Sequence, residues 1–340
     1  MAINPLAQYQ EILSLALEDR SSGYQDLVSN SNALLSVLKS KGLWETYSGP
    51  AIRERLLYNK TGSAVWYNGY DFLNPVPVEL FNDAVYTPKM VAVAVTLSNE
   101  EILNNAGSAQ LKDVMKAHIS AAENELEDVF DASLHGDGTG FGGKELGGLR
   151  LAIPTVVNTG VYGGISRVDN AIWRTSSFDA QSFATDIGTQ VNAANVRPML
   201  NRIVTQRSRG KRGADLFLMS AEHYAAYDAA TVAIQRINDE NSLGKLGFQS
   251  LKYYGAGRTA DIVQDGGIGS NMPANTTYGI ETASLRVRYN ADRNFDKLYR
   301  GAGMTPINQD AVVQYIGFMG ELTMVNPLFQ WKLFDSNPAA

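Results

Sequence analysis

The sequence predicts an α+β fold, in which one long helix and two strand-rich stretches occupy separate parts of the chain. Residues 98–136 carry the apolar repeat of a single amphipathic helix. Residues 43–97 are rich in aromatic and β-branched side chains, and residues 309–333 form a mostly apolar closing segment. Apolar residues three and four positions apart favour a helix, whereas aromatic and β-branched runs between turn signals favour strands. We therefore expect a long helix that follows one strand-rich stretch and is covered by the other.

The composition narrows the class of protein. With 340 residues, about two domains are expected, and a hydrophobic fraction of 44% is ample for a packed core. Cys is absent, so disulfides and thiolate metal sites are excluded. The net charge of −6 argues against tight sequence-specific binding to nucleic acid. No apolar run reaches the roughly 18 residues of a membrane span, and the first residues lack a secretory signal, so we expect a soluble intracellular protein.

Two short helical patterns, Leu6–Leu17 and Ser29–Lys39, occupy residues 1–42. Neither is long enough to be a stable helix alone in water. We expect both to lie on another surface, which belongs either to their own domain or to another chain.

Residues 43–97 are predicted to form a long antiparallel hairpin. Asn68-Gly69 is a strong turn signal, and the strand-like run 91–97 leads directly into the helix. An isolated two-stranded ribbon is at best marginally stable in water, so its aromatic side chains need a partner surface. We predict that the partner is another subunit. The predicted contact residues include Tyr58, Trp66, Tyr67, Tyr70 and Phe72.

The long helix is predicted to begin at Ser98 and to end near Gly136. Ser98 and Glu101 have the spacing of a capping box, in which each side chain accepts a backbone N–H of the first turn. His135 places a cation near the negative end of the helix, and Gly136 can adopt positive φ. A helix this long and one-sided needs a sheet or a neighbouring subunit as its partner. The apolar side comprises Leu111, Val114, Met115, His118, Ile119, Ala122, Leu126, Val129 and Phe130, and the opposite side Glu123, Glu125, Glu127, Asp128 and Asp131.

After the helix, a glycine-rich stretch (136–178) precedes a mixed α/β region. A helix is predicted over Ser182–Gln206, with Pro198 kinking or splitting it. A strand at Ala214–Met219 and a helix at Ala221–Ile237 form a strand-to-helix step. Further strands are predicted at Leu251–Val263 and Thr276–Tyr289, and two or three closing strands over Gln309–Leu333 return to cover the long helix.

No motif for catalysis or cofactor binding has the context that its chemistry needs. Gly138–Gly143 matches G-x-G-x-x-G, but dinucleotide binding requires a strand before it and a helix immediately after it. The sequence contains neither a P-loop, nor a nucleophile elbow, nor a zinc-binding H-E-x-x-H. His118, His135 and His223 lack ligand spacing, so we expect partly buried or helix-capping roles. We therefore predict no catalytic residue, cofactor or metal site.

Two charged segments leave alternatives open. The acidic side of the long helix, Glu123–Asp131, either coordinates a cation or is a solvated face, which is the commoner arrangement. A basic run after residue 206 either contacts phosphate, or contacts acidic residues of a neighbouring subunit, or is simply exposed. The members of this basic run are Arg207, Arg209, Lys211 and Arg212.

The order of these parts resembles the major capsid protein of tailed bacteriophages (Hong-Kong-97-type), whose fold is called the Johnson fold. The resemblance covers most of the chain and includes the N-terminal segment, the hairpin and the long helix. It also rests on Gly147-Gly148-Leu149, on the segment from Gly163 to Arg174, and on the closing residues Leu322–Phe329. By that resemblance, the N-terminal arm is 1–42, the extended β-hairpin loop is 43–97, the peripheral domain with its spine helix is 98–148, the mixed α/β axial domain is 149–306, and closing strands of the peripheral domain are 307–340.

The resemblance implies a structural protein without catalysis or cofactors. Its copies assemble into hexamers and pentamers of an icosahedral shell around a double-stranded DNA genome. The expected location is the virion, assembled in the bacterial cytoplasm. Expected partners are further copies, a portal protein, and a scaffolding or decoration protein, with non-specific contact to packaged DNA and no membrane. Some family members cross-link a hairpin lysine to a neighbour's asparagine, and Lys60 is the candidate here.

Two alternatives remain open. An encapsulin-like bacterial nanocompartment shares the fold and encloses enzymes instead of a genome. More distantly, residues 149–306 form the domain of a soluble α/β enzyme, and the missing catalytic motifs count against that reading.

Overall fold

A computed structural model of the protein describes residues 33–57, 64–73, 81–100, 108–231, 250–266, 270–298 and 310–338. Within these ranges the named α-helices are α1 (Ala33–Ser40), α2 (Ser108–His135), α3 (Gly140–Gly143), α4 (Leu149–Ala152), α5 (Val196–Gln206) and α6 (Ala221–Thr231). Short 3-10 helices lie at Ala171–Trp173, Ala180–Phe183 and Thr282–Ser284. The strands are β1 (Trp44–Tyr47), β2 (Ile52–Leu57), β3 (Phe81–Tyr86), β4 (Lys89–Ser98), β5 (Val161–Tyr162), β6 (Ile165–Ser166), β7 (Ser176–Asp179), β8 (Leu216–Met219), β9 (Ser250–Gly255), β10 (Arg258–Gln264), β11 (Thr276–Ile280), β12 (Leu285–Lys297), β13 (Ala311–Met324) and β14 (Trp331–Phe334).

The long helix α2 packs on a four-stranded sheet with the order β1-β12-β13-β4. Strand β1 runs parallel to β12, and the other neighbours are antiparallel. The ring of Phe130 on the helix meets Phe318 of β13 edge-on, with 5.0 Å between centroids, and lies 5.4 Å from Phe295. Ile119, Leu126 and Phe130 are all buried, as the apolar repeat requires. The predicted one-sided helix is therefore confirmed, and its partner is a sheet of its own chain.

A second sheet has six strands in the order β7-β14-β11-β8-β10-β9. Strand β8 is buried along its whole length and lies between β11 and β10. Its apolar run explains this central position, because a strand covered on both faces has no polar alternation. A separate core forms here around Trp331 of β14, whose ring meets Phe217 at 5.1 Å. Helices α5 and α6 contribute Met199, Leu200 and Tyr227 to that core.

The predicted hairpin over 43–97 is shorter than expected. Only β2 and β3 pair with each other, from Ile52 opposite Tyr86 to Leu57 opposite Phe81. Strand β1 instead pairs with β12, and β4 pairs with β13, so both ends of the predicted hairpin belong to the four-stranded sheet. Tertiary pairing overrides the local signal because β1 and β4 each gain a long partner strand that β2 and β3 cannot offer.

A helix begins directly after β4, at Asn99 and Glu100, as the cap predicted at Ser98 requires. Residues 101–107, which include Glu101, lie outside the described residues, and α2 begins at Ser108. Two further expectations are corrected. Of the helix predicted over 182–206, only Val196–Gln206 is α-helical (α5), and a 3-10 helix at Ala180–Phe183 overlaps its predicted start. Pro198 neither kinks nor splits a long helix but lies in the first turn of α5, where a missing N–H is tolerated. Strand β14 joins the six-stranded sheet between β7 and β11, so of the predicted closing strands β13 covers the long helix and β14 does not.

Strand pairing also crosses the boundaries drawn from the resemblance. Strand β12 falls within 149–306 but pairs with β13, and β14 falls within 307–340 but pairs with β11. The pattern Leu6–Leu17 lies outside the described residues, whereas α1 confirms a helix within 29–39. In the described parts of the chain, no helix is long and apolar enough to cross a membrane.

Candidate assembly surfaces

The β2–β3 hairpin presents two different faces. Ile52 and Leu56 of β2, and Ala84 and Tyr86 of β3, are buried against the rest of the molecule. Val85, on the opposite face, is exposed, as period-two alternation requires. The hairpin is therefore a half-covered ribbon whose inner face is held by its own chain.

Polar contacts fix the base of this ribbon. The Tyr86 hydroxyl donates to the carbonyl oxygen of Met324 at 2.9 Å, and its ring meets Tyr162 edge-on at 5.3 Å. Burial raises the pKa of Tyr86, which stays protonated as a donor. The backbone N–H of Val85 donates to the carbonyl of Gly163 at 2.9 Å. The glycine-rich segment around Gly163 thus closes on the hairpin, and a Cβ there would meet the Tyr86 ring at 2.9 Å.

The segment 64–73, beyond the end of β2, carries the predicted intersubunit residues. Trp66, Tyr70 and Phe72 are fully exposed, and Tyr67 is mostly exposed. The N–H of Asp71 donates to the carbonyl of Asn68 at 2.9 Å, so the turn predicted there is present. Tyr58 and Lys60 lie outside the described residues.

The basic run forms a tight turn next to the six-stranded sheet. The backbone groups of Arg209 and Arg212 exchange two hydrogen bonds, at 2.9 and 3.0 Å. The guanidinium of Arg258 donates to the carbonyls of Gly210 at 2.7 Å and Lys211 at 3.2 Å. Arg258 therefore holds the turn, in which Arg209 and Lys211 are exposed.

The side chains of Arg207 and Arg212 contact groups of their own chain, although that of Arg212 is still 54% exposed. Arg212 donates from two nitrogens to Glu281, each at 2.9 Å, and its guanidinium lies 4.8 Å from the ring centre of Phe329. The Glu281 carboxylate raises the pKa of Arg212. Arg207 lies over the Phe178 ring at 5.5 Å, and burial lowers its pKa. For Arg209 and Lys211, a contact with phosphate or with a neighbouring subunit stays a prediction.

A third feature was missed by sequence reasoning. His135, at the end of α2, is buried between two carboxylates: its Nε2 lies 3.5 Å from Asp131 Oδ1 and 3.4 Å from Asp265 Oδ2. Burial disfavours the imidazolium, but the two carboxylates outweigh this effect and raise the pKa of His135 to about 9. The signal was the four-residue spacing of Asp131 and His135, which puts both on one helix face. Asp265 is distant in sequence and carried no signal.

The glycine-rich sequence 138–143 follows a helix and not the strand that a dinucleotide-binding motif needs before it. It follows the long helix and forms the single turn α3, in which Phe141 and Gly142 have φ of 51° and 71°. The Nζ of Lys89 donates to the carbonyl of Gly143, which ties this turn to β4. The turn is therefore part of the packing between the helix end and the sheet.

Comparison with known proteins gives a match in structure but not in sequence. No protein-family model and no curated protein matches the chain. The cyanophage A-1(L) capsid asymmetric unit matches with a TM-score of 0.60 at 16% identity, over 87% of this chain and 92% of that one. The protein has the tailed-phage capsid fold. The fold class predicted from the sequence is thus confirmed.

Two other solved structures are similar at lower scores. The capsid of a native "GTA" particle matches with a TM-score of 0.53 at 12% identity, over 87% of this chain and 89% of that one. The holo-SrpI encapsulin complex from Synechococcus elongatus matches at 0.46 and 9% identity, over 86% and 84%. That last score is too low to favour the nanocompartment alternative.

Proposed function

We propose that this protein is the major capsid protein of a tailed bacteriophage, which assembles into hexamers and pentamers of an icosahedral shell around double-stranded DNA. The capsid fold supports a structural role, since the similar structures are shells and not enzymes. The observation that carries the proposal within this chain is the exposed aromatic segment 64–73.

The aromatic side chains of that segment need another surface to cover them. Trp66, Tyr70 and Phe72 are fully exposed, and aromatic side chains each bury about 150–250 Å² when they are covered. Contiguous exposed apolar surface of this kind marks an interaction site. Since the hairpin's inner face is already occupied by its own chain, we assign the segment to a second copy. The domain division follows as a proposal, with β12 grouped with the peripheral strands and β14 with the axial sheet.

The charge balance suits a container for DNA. A net charge of −6 gives a weakly repulsive wall, along which a duplex is not held by many phosphate contacts. Contact with the genome is then non-specific. The remaining partners in the proposal are a portal protein and a scaffolding or decoration protein, with assembly in the bacterial cytoplasm and the virion as final location.

Electron microscopy of the purified protein, followed by analysis of its contents, tests the proposal. We expect closed shells that contain double-stranded DNA when they are isolated from infected cells. Shells that contain an enzyme and no DNA would favour the encapsulin-like compartment. A stable monomer on a sizing column, with no shells at any concentration, would contradict both the capsid and the compartment. It would favour a soluble enzyme whose domain is 149–306.

A covalent cross-link through Lys60 is a separate proposal. It is tested on a denaturing gel, where a ladder of bands would support it and one band near 37.0 kDa would exclude it.

A further inference from the structure

Three potential metal ligands converge where the long helix meets the six-stranded sheet. Asp131 and His135 lie one turn apart on α2, and Asp265 directly follows β10. One ligand atom from each side chain lies within 4.8 Å of the other two. The cluster therefore joins the helix that supports one sheet to the end of a strand in the other.

Two of the three side chains are deeply buried, and their ionic contacts within the cluster are too long for ordinary hydrogen bonds. The side chain of His135 is 1% exposed and that of Asp265 is 10% exposed. Within the described part of the chain, three of their polar atoms have no hydrogen-bond partner: Nδ1 and Nε2 of His135, and Oδ2 of Asp265. Buried polar atoms are usually paired, because leaving one unpaired costs about 1–3 kcal/mol. The cluster thus has donor atoms that are available to a ligand.

Asp131 is oriented by the neighbouring loop. Its Oδ2 accepts hydrogen bonds from the backbone N–H of Asn271 at 3.1 Å and from the Asn271 side-chain amide at 2.9 Å. The other oxygen, Oδ1, faces His135. Hydrogen bonds of this kind hold a carboxylate ligand in position and are a common outer layer of metal sites.

The distances fit a shared ion better than direct hydrogen bonds. The separations of 3.5 and 3.4 Å between Nε2 and the two carboxylate oxygens exceed the range of about 2.7–3.2 Å that is usual for N–H···O contacts. Bonds of about 2.0–2.2 Å to a tetrahedral ion place the ligand atoms about 3.3–3.5 Å apart. One imidazole with two carboxylates is also a donor set that suits zinc and neighbouring transition ions.

We propose that Asp131, His135 and Asp265 form a binding site for one divalent transition-metal ion, with zinc as the reference ion. The ion would take the place of a proton on the imidazole and would neutralise the paired carboxylates. Because its ligands come from α2 and from the end of β10, the bound ion would fix the angle between the four-stranded and six-stranded sheets. The site does not depend on the proposed shell function.

Equilibrium dialysis of the full-length protein tests the site. After treatment with a chelator, the protein is dialysed against zinc chloride at pH 8, and bound zinc is measured by mass spectrometry. We expect about one zinc per chain and a rise in Tm of at least about 2 °C. His135→Gln and Asp265→Asn should each lower zinc affinity by at least about tenfold. His118→Asn and Asp128→Asn, on the same helix, are the matched controls and should bind like the parent protein.

Two results would overturn the proposal. One is a parent protein that binds no zinc, manganese or cobalt at millimolar concentration. The other is undiminished binding by both His135→Gln and Asp265→Asn. If these variants fail to fold, X-ray absorption of the zinc-loaded parent protein decides the question. The proposed site predicts one imidazole nitrogen and oxygen ligands at about 2.0–2.2 Å from the zinc. A zinc ion coordinated by two or more imidazoles would contradict the proposal.

Discussion

Glu54 of the hairpin and Arg288 of β12 form a buried two-point ion pair. Arg288 Nε donates to Glu54 Oε1 at 2.7 Å and its Nη2 donates to Oε2 at 3.4 Å. The Thr323 hydroxyl donates to the same carboxylate at 3.2 Å, and Arg288 also pairs with Glu45 of β1. The base of the hairpin is thereby tied to three strands of the four-stranded sheet.

Removing Arg288 should therefore be costly. In Arg288→Met the buried Glu54 carboxylate keeps only the Thr323 hydroxyl and the more distant Arg286, at 4.0 Å, so we expect a loss of about 3–5 kcal/mol in the free energy of unfolding. Urea denaturation measures this loss. Arg55→Ala is the matched control, because its pair with Asp83 is long, at 4.0 Å, and exposed, so it should cost less than about 1 kcal/mol. A similar small loss for both variants would show that the buried pair does not hold the hairpin.

The exposed segment should matter for assembly and not for folding. Replacing Trp66 and Tyr67 together by Ser removes apolar surface that the chain itself does not cover. The circular dichroism spectrum should therefore be unchanged, and Tm should stay within about 2 °C of the parent value. Shell yield in negative-stain micrographs should fall sharply. The variant with Phe at both positions keeps the apolar surface and should assemble. Aggregated or unfolded Ser variant would show that these residues belong to an internal core.

Glu321 predicts a loss of stability as pH rises from about 4.5 to about 7. Its buried carboxyl accepts N–H groups of Gly147 at 2.8 Å and Leu322 at 3.2 Å, with Lys89 nearby, but burial dominates and raises its pKa from 4.5 to about 7. Between these values the folded state binds more protons than the unfolded state, so stability falls as pH rises. The full effect is roughly 3 kcal/mol.

Urea denaturation of Glu321→Gln at pH 5 and pH 8 checks this prediction. The neutral amide can accept the same two N–H groups, so its stability should change less between the two pH values. An unaltered pH dependence would show that Glu321 is not the group responsible.

His223 predicts the opposite trend on the acidic side. The imidazole is buried and shares a hydrogen bond of 2.8 Å with Thr277. Burial lowers its pKa from 6.5 to about 4, although Asp335 and Glu222 oppose the shift. The folded state then binds fewer protons, so stability should fall by roughly 3 kcal/mol as pH drops from 6.5 to 4. His223→Asn should lose less stability over that range, and an equal loss in both proteins would contradict the assignment.

Gly279 should tolerate no side chain. It lies opposite Trp331 in the β11–β14 pair, and a Cβ at this position would come within 1.9 Å of the indole ring. Because Trp331 is fully buried and cannot move aside, Gly279→Ala should cost about 1–3 kcal/mol or more in urea denaturation. Gly69→Ala has open space around it and should be close to neutral. Equal stability of the two variants would show that the indole can shift.

Local sequence signals determined the parts of the fold that depend on neighbouring residues. The apolar repeat that ends at Phe130 and the cap at His135 gave the long helix nearly to its last residue, because both depend on residues within a turn or two. The order of helix, hairpin and glycine-rich segments was enough to predict the capsid fold. Asn68-Gly69 likewise marked a turn that is present. Each of these features depends on residues that are close together in the sequence.

The tertiary structure alone decided which distant segments meet. Strand β1 pairs with β12 rather than with β2, and β14 inserts between β7 and β11. The pair of Glu54 with Arg288 spans 234 residues, and Asp265 reaches His135 from the other sheet. The physical reason is that strand pairing and buried ionic contacts depend on the free energy of packing two surfaces against each other. Each surface is built from residues far apart in the chain, so no short stretch of sequence specifies the contact.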